Sequence, residues 1–331
     1  MTKACYVGVA GKARKVKKIY TGVANKARKV KKAYVGVGGK ARPFFSAEAK
    51  LSYYGTVTAL SQAKAYLAAT TVGNYGLFGG GNTGGNASTV DAYSASLVRS
   101  TPTPLSQARF KMEATTVGNY ALFGGGKTSF KRYMSTVDAY SASLVRSTPT
   151  PMSQIRAYFA ATTVGNYGLF GGGFSNGSHL TSTVDAYSAS LVHSTPTPLS
   201  QAKAYLAATT VGNYGLFGGG VDAAKVVSTV DAYSASLVRS TPAPLSQARA
   251  DFAATTVGNY GLFGGGGSSD IFDPDYVSTV DAYSASLVRS TTTPLSQARN
   301  GLAATTVGNY GLFGGGYGGS FSSTVDAYTV V

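Results

Sequence analysis

The segment GNYGLFGGG begins at Gly73 and recurs at Gly165, Gly212, Gly258 and Gly308, with the variant GNYALFGGG at Gly118. The spacings are 45, 47, 47, 46 and 50 residues, a period that belongs to propellers and solenoids. A second constant block, STVDAY, follows each copy and places an aspartate at Asp91, Asp138, Asp185, Asp231, Asp281 and Asp326. Between one VDAY and the next GNY lies SASLVRSTPTPLSQAR or a close relative. Each period therefore offers four short strand candidates: LAATTV ending at a Gly-Asn turn, YGLFGG, STVDAY, and LVRSTP closed by prolines such as Pro102 and Pro104. Four strands per repeat read as a propeller blade.

Counting predicts how the ring closes. The sixth repeat stops after Asp326-Ala-Tyr-Thr-Val-Val331 and lacks its own LVRSTP strand. Leu51 to Leu60 (LSYYGTVTAL) runs into Ser61-Gln62-Ala63 as each fourth strand runs into SQAR, so this N-terminal strand is expected to complete the last blade and remove the open edges. A hydrophobic strand ending in a diglycine, then a variable loop, then a strand ending in tyrosine, resembles the kelch repeat over about residues 51–331. Kelch blades usually carry a tryptophan in the fourth strand, and this chain has none. The resemblance implies an all-β, six-bladed kelch-like β-propeller over residues 46–331, preceded by an arm over residues 1–45.

Because the copies are so nearly identical, the places where they differ point to function. One variable stretch follows the diglycine and the other follows SQAR. In an up-and-down blade the loop from second to third strand and the connection from fourth strand to the next blade share a face. The Gly-Asn and SAS turns, nearly constant, share the other. The variable face is predicted to bind a ligand through Tyr66, Phe110, Lys111, Tyr133, Tyr158, Phe174, Tyr205, Asp251, Phe272, Tyr276 and Tyr317. Aromatic residues mixed with Ser, Gly and Asn on loops of a constant scaffold suit recognition; drift of surface loops is the alternative. One basic residue recurs at each connection: Lys64, Arg109, Arg156, Lys203, Arg249 and Arg299. Kelch repeats commonly carry Arg near here, which implies a structural hydrogen-bonding role. The sharper alternative is a ring of cations that meets a phosphate-rich or uronic-acid glycan.

The charge is concentrated at one end. Residues 1–50 hold 14 of the 29 Lys and Arg and only one of the 13 acids. Units of 14 residues start at Tyr6, Tyr20 and Tyr34, and each reads as strand, tight turn, strand. Such hairpins are marginal alone, so the arm is expected to pair with other chains or dock on a partner, with Tyr6, Tyr20, Tyr34, Lys15 and Lys29 as docking residues. Nucleic acid, with rings stacked on bases, is the less favoured partner. The tandem YVGVxGKARKVKK units from Tyr6 to Phe45 resemble those of structural, tail-associated proteins of phages and prophages of Gram-positive bacteria. This implies a virion protein, oligomeric on the particle, whose arm meets phage structural proteins and whose propeller meets a host-surface glycan or protein. An intracellular kelch scaffold, with its arm on nucleic acid, is the rival reading.

Other chemistry is sparse. His179 and His193 are the only histidines and Cys5 the only cysteine, so neither a metal centre nor a triad assembles, and six equivalent VDAY aspartates suit structure better than catalysis. The chain is thus expected to be no enzyme and to need no cofactor or metal. Ala121 to Thr128 (ALFGGGKT) imitates a phosphate loop but lacks the following helix that such a loop requires. Asn86-Ala-Ser and Asn176-Gly-Ser are formal sequons, and Asp270, Asp273 and Asp275 a weak calcium candidate. With neither a signal-peptide pattern nor an apolar run of about 18 residues, synthesis in the bacterial cytoplasm without membrane insertion is expected.

Overall fold

A computed structural model describes residues 56–129, 132–176, 179–269 and 275–330 in full, and the backbone of six strands within residues 6–46. The chain divides into two compact units, residues 1–56 with Val331, and residues 57–330. All regular structure among the described residues of both is β.

The first unit contains three antiparallel hairpins: Tyr6–Val9 with Lys12–Lys15, Ile19–Val23 with Lys26–Val30, and Lys32–Val37 with Lys40–Ser46. Their register sets Tyr6 opposite Lys15 and Tyr20 opposite Lys29, while Tyr34 faces Pro43 next to a bulge. The 14-residue period is thus the period of one hairpin.

The second unit is a six-bladed β-propeller of small antiparallel sheets. In blade 3, for example, the inner strand Ala160–Val164 pairs with Tyr167–Gly171, which pairs with Val184–Ser188, which pairs with the short outer strand His193–Ser194. The inner strands alternate, Val164 and Ala160 being buried and Ala161 and Thr163 half-buried, because successive side chains meet the blades on either side.

Each constant block has a task between blades. The phenylalanine of LFGG packs edge-on against the VDAY tyrosine of its own blade, 5.9 Å between centroids for Phe123 and Tyr140. Its other side lies against the preceding blade's glycine: a Cβ on Gly79 would come within 2.7 Å of the Phe123 ring, and one on Gly171 within 2.8 Å of Phe217. The diglycine that follows turns with φ of +60° at Gly125 and +99° at Gly126, where a Cβ would meet the carbonyl oxygens of Arg156 and Phe110 at 2.7 and 2.8 Å. Only glycine suits both the backbone and the space.

The VDAY aspartate clamps the incoming connection. Asp138 accepts from Ser106 N at 3.0 Å and Ser106 Oγ at 3.1 Å, from Arg109 Nη2 at 2.8 Å, and from Arg146 Nη1 of its own outer strand at 2.9 Å. Tyr140 donates its hydroxyl to the Thr103 carbonyl of the same connection at 2.7 Å. Lys64, Arg156, Lys203, Arg249 and Arg299 make the equivalent pairs with Asp91, Asp185, Asp231, Asp281 and Asp326. The cation ring is therefore corrected. These six cations carry side chains that are at most 1% exposed and are neutralised within the fold, so they cannot receive an external anion.

Blade 6 differs. It has three strands among the described residues, Ala303–Val307, Tyr310–Gly314 and Val325–Thr329. Residues 51–55 of the expected closing strand lie outside the described residues, and Thr56–Leu60 form no strand. Tyr93 and Asp91 nevertheless bind the Thr58 carbonyl and the Ser61 amide, as their counterparts do. Among the described residues, blades 6 and 1 lack the packing that joins the other five pairs. Gly314 has only Val325 of its own blade near its Cβ position, and Val307, Tyr310 and Val325 are 49%, 47% and 60% exposed.

The clamp can be tested by removing a single charge. Asp231→Asn leaves the Lys203 ammonium buried without its counter-charge, and should cost about 3–5 kcal/mol in urea unfolding. Asp326→Asn, where the carboxylate is 15% exposed, should cost measurably less. Equal losses would show that burial does not set the worth of the pair.

Candidate functional site

The two variable stretches meet in space. Single β-bridges join them in each blade: Ala65 to Asn82, Phe110 to Lys127, Ala157 to Phe174, Ala204 to Val221, Ala250 to Gly267 and Asn300 to Tyr317. The residue after each first bridge partner adopts a left-handed backbone: φ is +55° at Tyr66, +55° at Lys111, +59° at Tyr158, +54° at Tyr205, +54° at Asp251 and +60° at Gly301. Main-chain hydrogen bonds link neighbours in this series, from Lys111 N to Tyr66 O (3.1 Å), Tyr205 N to Tyr158 O (3.0 Å), Asp251 N to Tyr205 O (3.1 Å) and Gly301 N to Asp251 O (2.9 Å). Tyrosine three times, and lysine, aspartate and glycine once each, are thereby presented from one repeated backbone around one end of the central channel.

The channel itself is uniform. A cavity of about 320 Å³ is lined by the threonines and alanines of the inner strands, from Thr70 of blade 1 to Thr306 of blade 6. Hydroxyl pairs stitch blade to blade, Thr70 to Thr116 at 2.8 Å, Thr115 to Thr163 at 2.8 Å and Thr162 to Thr210 at 2.9 Å. Chemical individuality lies at the mouth.

There, blades 1 to 4 contribute an aromatic arc. Tyr158 stands 4.9 Å from Tyr205 and 6.1 Å from Phe174, Phe174 stands 5.8 Å from Tyr205, and Tyr66 stands 6.4 Å from Phe110. Lys111 Nζ sits 4.0 Å over the Tyr66 ring and 5.5 Å from that of Tyr158. Lys127 Nζ approaches Tyr158 at 5.3 Å and Tyr133 at 5.0 Å. Burial lowers both ammonium pKa values; Asp251 and Glu113 work against this for Lys111, whereas the positive charge of Lys111 adds to it for Lys127. Burial, reinforced by Tyr158, Asp251 and Tyr133, pushes the Tyr205 hydroxyl up to about 12.

The expected ligand contacts divide accordingly. Tyr66, Phe110, Lys111, Tyr158, Phe174 and Tyr205 come together at the mouth, with Asp251 on its rim. Tyr133 is buried behind them. Tyr276 and Tyr317 form a separate pair at 5.8 Å, extended to Phe321. Phe272 lies outside the described residues, as do Asp270 and Asp273 of the calcium candidate. The side chains of Tyr6, Lys15, Tyr20, Lys29 and Tyr34 are likewise outside what is described. No cluster of His, Cys, Asp and Glu with metal-binding geometry occurs among the described residues. Glu113 was not anticipated. It replaces the alanine that opens every other inner strand, Ala68, Ala160, Ala207, Ala253 and Ala303, and a comparison confined to the loops passes over it. Burial raises its carboxyl pKa to about 7, opposed only by Lys111. Neither Glu113 nor Lys111 makes a salt bridge among the described residues, whereas each VDAY aspartate is paired.

No protein-family model matches the chain, and no curated protein matches it. Among solved structures it is similar to one titled "Structure of YjhT", with a TM-score of 0.66 and 11% identity over 83% of this chain and 97% of that one. Such a likeness shows the fold. It overturns the expectation that the chain is no enzyme: one architecture of this kind carries unrelated functions, catalytic ones included.

Glu113 gives a pH test. Its neutral form is favoured in the fold, so its contribution to stability is complete below about pH 4.5 and is lost as pH rises through about 7. Glu113→Ala, which restores the residue of the other repeats, should be more stable than the parent by about 3 kcal/mol at pH 8 and should converge on it at pH 4.5. Chemical unfolding at both pH values measures the difference. A constant difference would show that the charge is not responsible.

Proposed function

We propose that the chain is a kelch-like, virion- or tail-associated receptor-binding protein of a phage. The mouth of the variable face engages a host-surface glycan, and residues 1–45 attach the protein to the particle. The observation that carries this reading is the set of six left-handed positions. Backbone is held constant there while Tyr, Lys, Tyr, Tyr, Asp and Gly alternate. The invariant SASL turn repeats the same left-handed backbone at Leu97, Leu144, Leu191, Leu237 and Leu287 with one unchanging side chain, so it is the variation at the mouth that supports recognition. Aromatic faces beside carboxylate and ammonium groups suit a saccharide, whose ring stacks on the first and whose hydroxyls bond to the second.

The resemblance of the arm to tail-associated repeats supports the particle, and its strong positive charge supports docking on an acidic partner surface. Display of many copies turns weak contacts into firm attachment.

Binding of the labelled full-length chain to cells of candidate Gram-positive hosts tests the proposal. Strain-selective binding is expected, with at least a tenfold loss when Tyr158 and Tyr205 are both replaced by Ala. If binding is strain-selective but indifferent to those changes, recognition lies elsewhere on the chain. If no cell binds even multivalent protein, the receptor-binding reading fails.

A further inference from the structure

A hollow of about 670 Å³ opens between the variable loops of blades 3 and 4, within the range of about 300–1,000 Å³ that encloses small-molecule ligands. One wall is the blade 3 loop, where Phe174–Ser175 pairs with His179–Leu180, alone among the described loops in forming a two-stranded ladder. The other is the blade 4 turn, where Val221 bridges Val226 and the Asp222 carboxylate accepts the Ala224 and Lys225 amides at 2.8 and 2.9 Å. Ala202, from the connection between the two blades, completes the lining. Both walls are thus fixed by hydrogen bonds of their own before anything binds. Phe174 belongs to the mouth as well, standing edge-on to Tyr158 and Tyr205 at interplanar angles of 83° and 75°, so the mouth and the hollow adjoin at one residue.

The polar groups of the hollow are acceptors. His179 Nδ1 lies 2.9 Å from the Asn176 carbonyl oxygen, which can only accept, so the neutral ring carries its proton there and leaves Nε2 as an acceptor. Asp222 is half-buried, and the Ala224 and Lys225 amides hold its carboxyl below the usual carboxylate range. The exposed Lys225 of the same turn is not among the lining residues. An occupant must therefore bring hydrogen-bond donors for these two acceptors and an apolar face for Phe174, Leu180, Ala223 and Ala224. A neutral pyranose has both, whereas a carboxylate or phosphate would meet Asp222 with like charge.

Resting on the saccharide reading of the mouth, we propose that the receptor glycan is bound as a chain of at least two residues, one in the mouth and the next, a neutral sugar, in the hollow between the blade 3 and blade 4 loops. Phe174 stands at the crossing between them. Hydroxyls of the second residue would donate to His179 Nε2 and to Asp222, and its apolar face would lie against the Phe174 and Leu180 wall. A second subsite lets the protein distinguish a polymer chain from a free monosaccharide, which the mouth alone does not.

The test uses the full-length protein and cells of a strain that it binds. Wall polysaccharide of that strain is partially hydrolysed, sized into fragments of one, two, three and four sugar residues, and used to compete with the cells. The concentration needed for half-inhibition should fall at least about tenfold between the one-residue fragment and the two- or three-residue fragment. Ala223→Trp, which fills the hollow from an exposed turn position, should erase that gain, and His179→Ala should reduce it several-fold. Both variants are first shown to unfold at the parent temperature. No gain with length, or a gain that Ala223→Trp leaves intact, overturns the proposal while the saccharide reading stands. An equal loss at every length overturns it too, because the hollow then has no separate part in binding. If no fragment competes although periodate treatment of the cells abolishes binding, the second subsite is refuted and the saccharide reading survives. If protease treatment abolishes binding and periodate does not, both fall in favour of a protein receptor; if no cell binds at all, both fall together with receptor binding.

Discussion

The buried carboxylate of VDAY is the constraint on which the propeller depends. In Asp138 one oxygen takes the Ser106 amide and Arg146, and the other takes Arg109 and the Ser106 hydroxyl. Arg146 belongs to the outer strand of the same blade, whereas Ser106 and Arg109 arrive from the preceding one. A single side chain thus ties a blade to itself and to its neighbour. The net worth of such a pair over a well-packed apolar core is small, because desolvating both charges offsets their attraction. Its contribution is to position: an apolar cluster tolerates a slipped connection, but a carboxylate that must meet four donors does not.

That fixed register reaches the functional face directly. Arg109 is followed by Phe110, which bridges Lys127, and then by Lys111 in its left-handed conformation. The clamp therefore delivers the second residue beyond each basic partner to the same place in every blade. Once the backbone there is held by the clamp on one side and by main-chain hydrogen bonds on the other, the side chain can vary while the backbone conformation stays the same. A non-glycine residue in this conformation costs about 1–2 kcal/mol. Leucine holds the same conformation in the constant turn, at Leu97, Leu144, Leu191, Leu237 and Leu287, so what distinguishes the mouth is that its side chain changes from blade to blade while its backbone does not.

The fold was legible in the sequence because six copies of one pattern leave few architectures, and the two-face argument followed from strand count alone. The cation ring was misplaced for a reason that can be stated. Recurrence of Lys64, Arg109 and their equivalents shows that they occupy one position, not whether that position is open. The corrective signal was present, since one aspartate recurs for each basic residue, with the same period. Glu113 was legible too, as EATTV among five copies of AATTV, but it sits in a strand that otherwise looks like scaffold. What no sequence pattern conveys is that Lys111 and Lys127, 16 positions apart, meet around a tyrosine from the next blade.

The seam between blades 6 and 1 bears on which part of the mouth can act as a site. Phe78 is only half-buried, and Gly314, the position that would receive it, meets nothing from blade 1. Across the other five junctions the corresponding ring fits against a glycine. The main-chain series at the mouth runs from Lys111 to Tyr66 and, separately, from Tyr158 through Tyr205 and Asp251 to Gly301. Lys111, Lys127, Tyr158, Phe174 and Tyr205 all stand on blades 2 to 4, each flanked by neighbours on both sides. Preorganisation there does not depend on how the ring is completed. The pair Tyr276 and Tyr317, on blades 5 and 6, lies beside the less buried edge. The charged, aromatic half of the mouth is for that reason the half built to recognise.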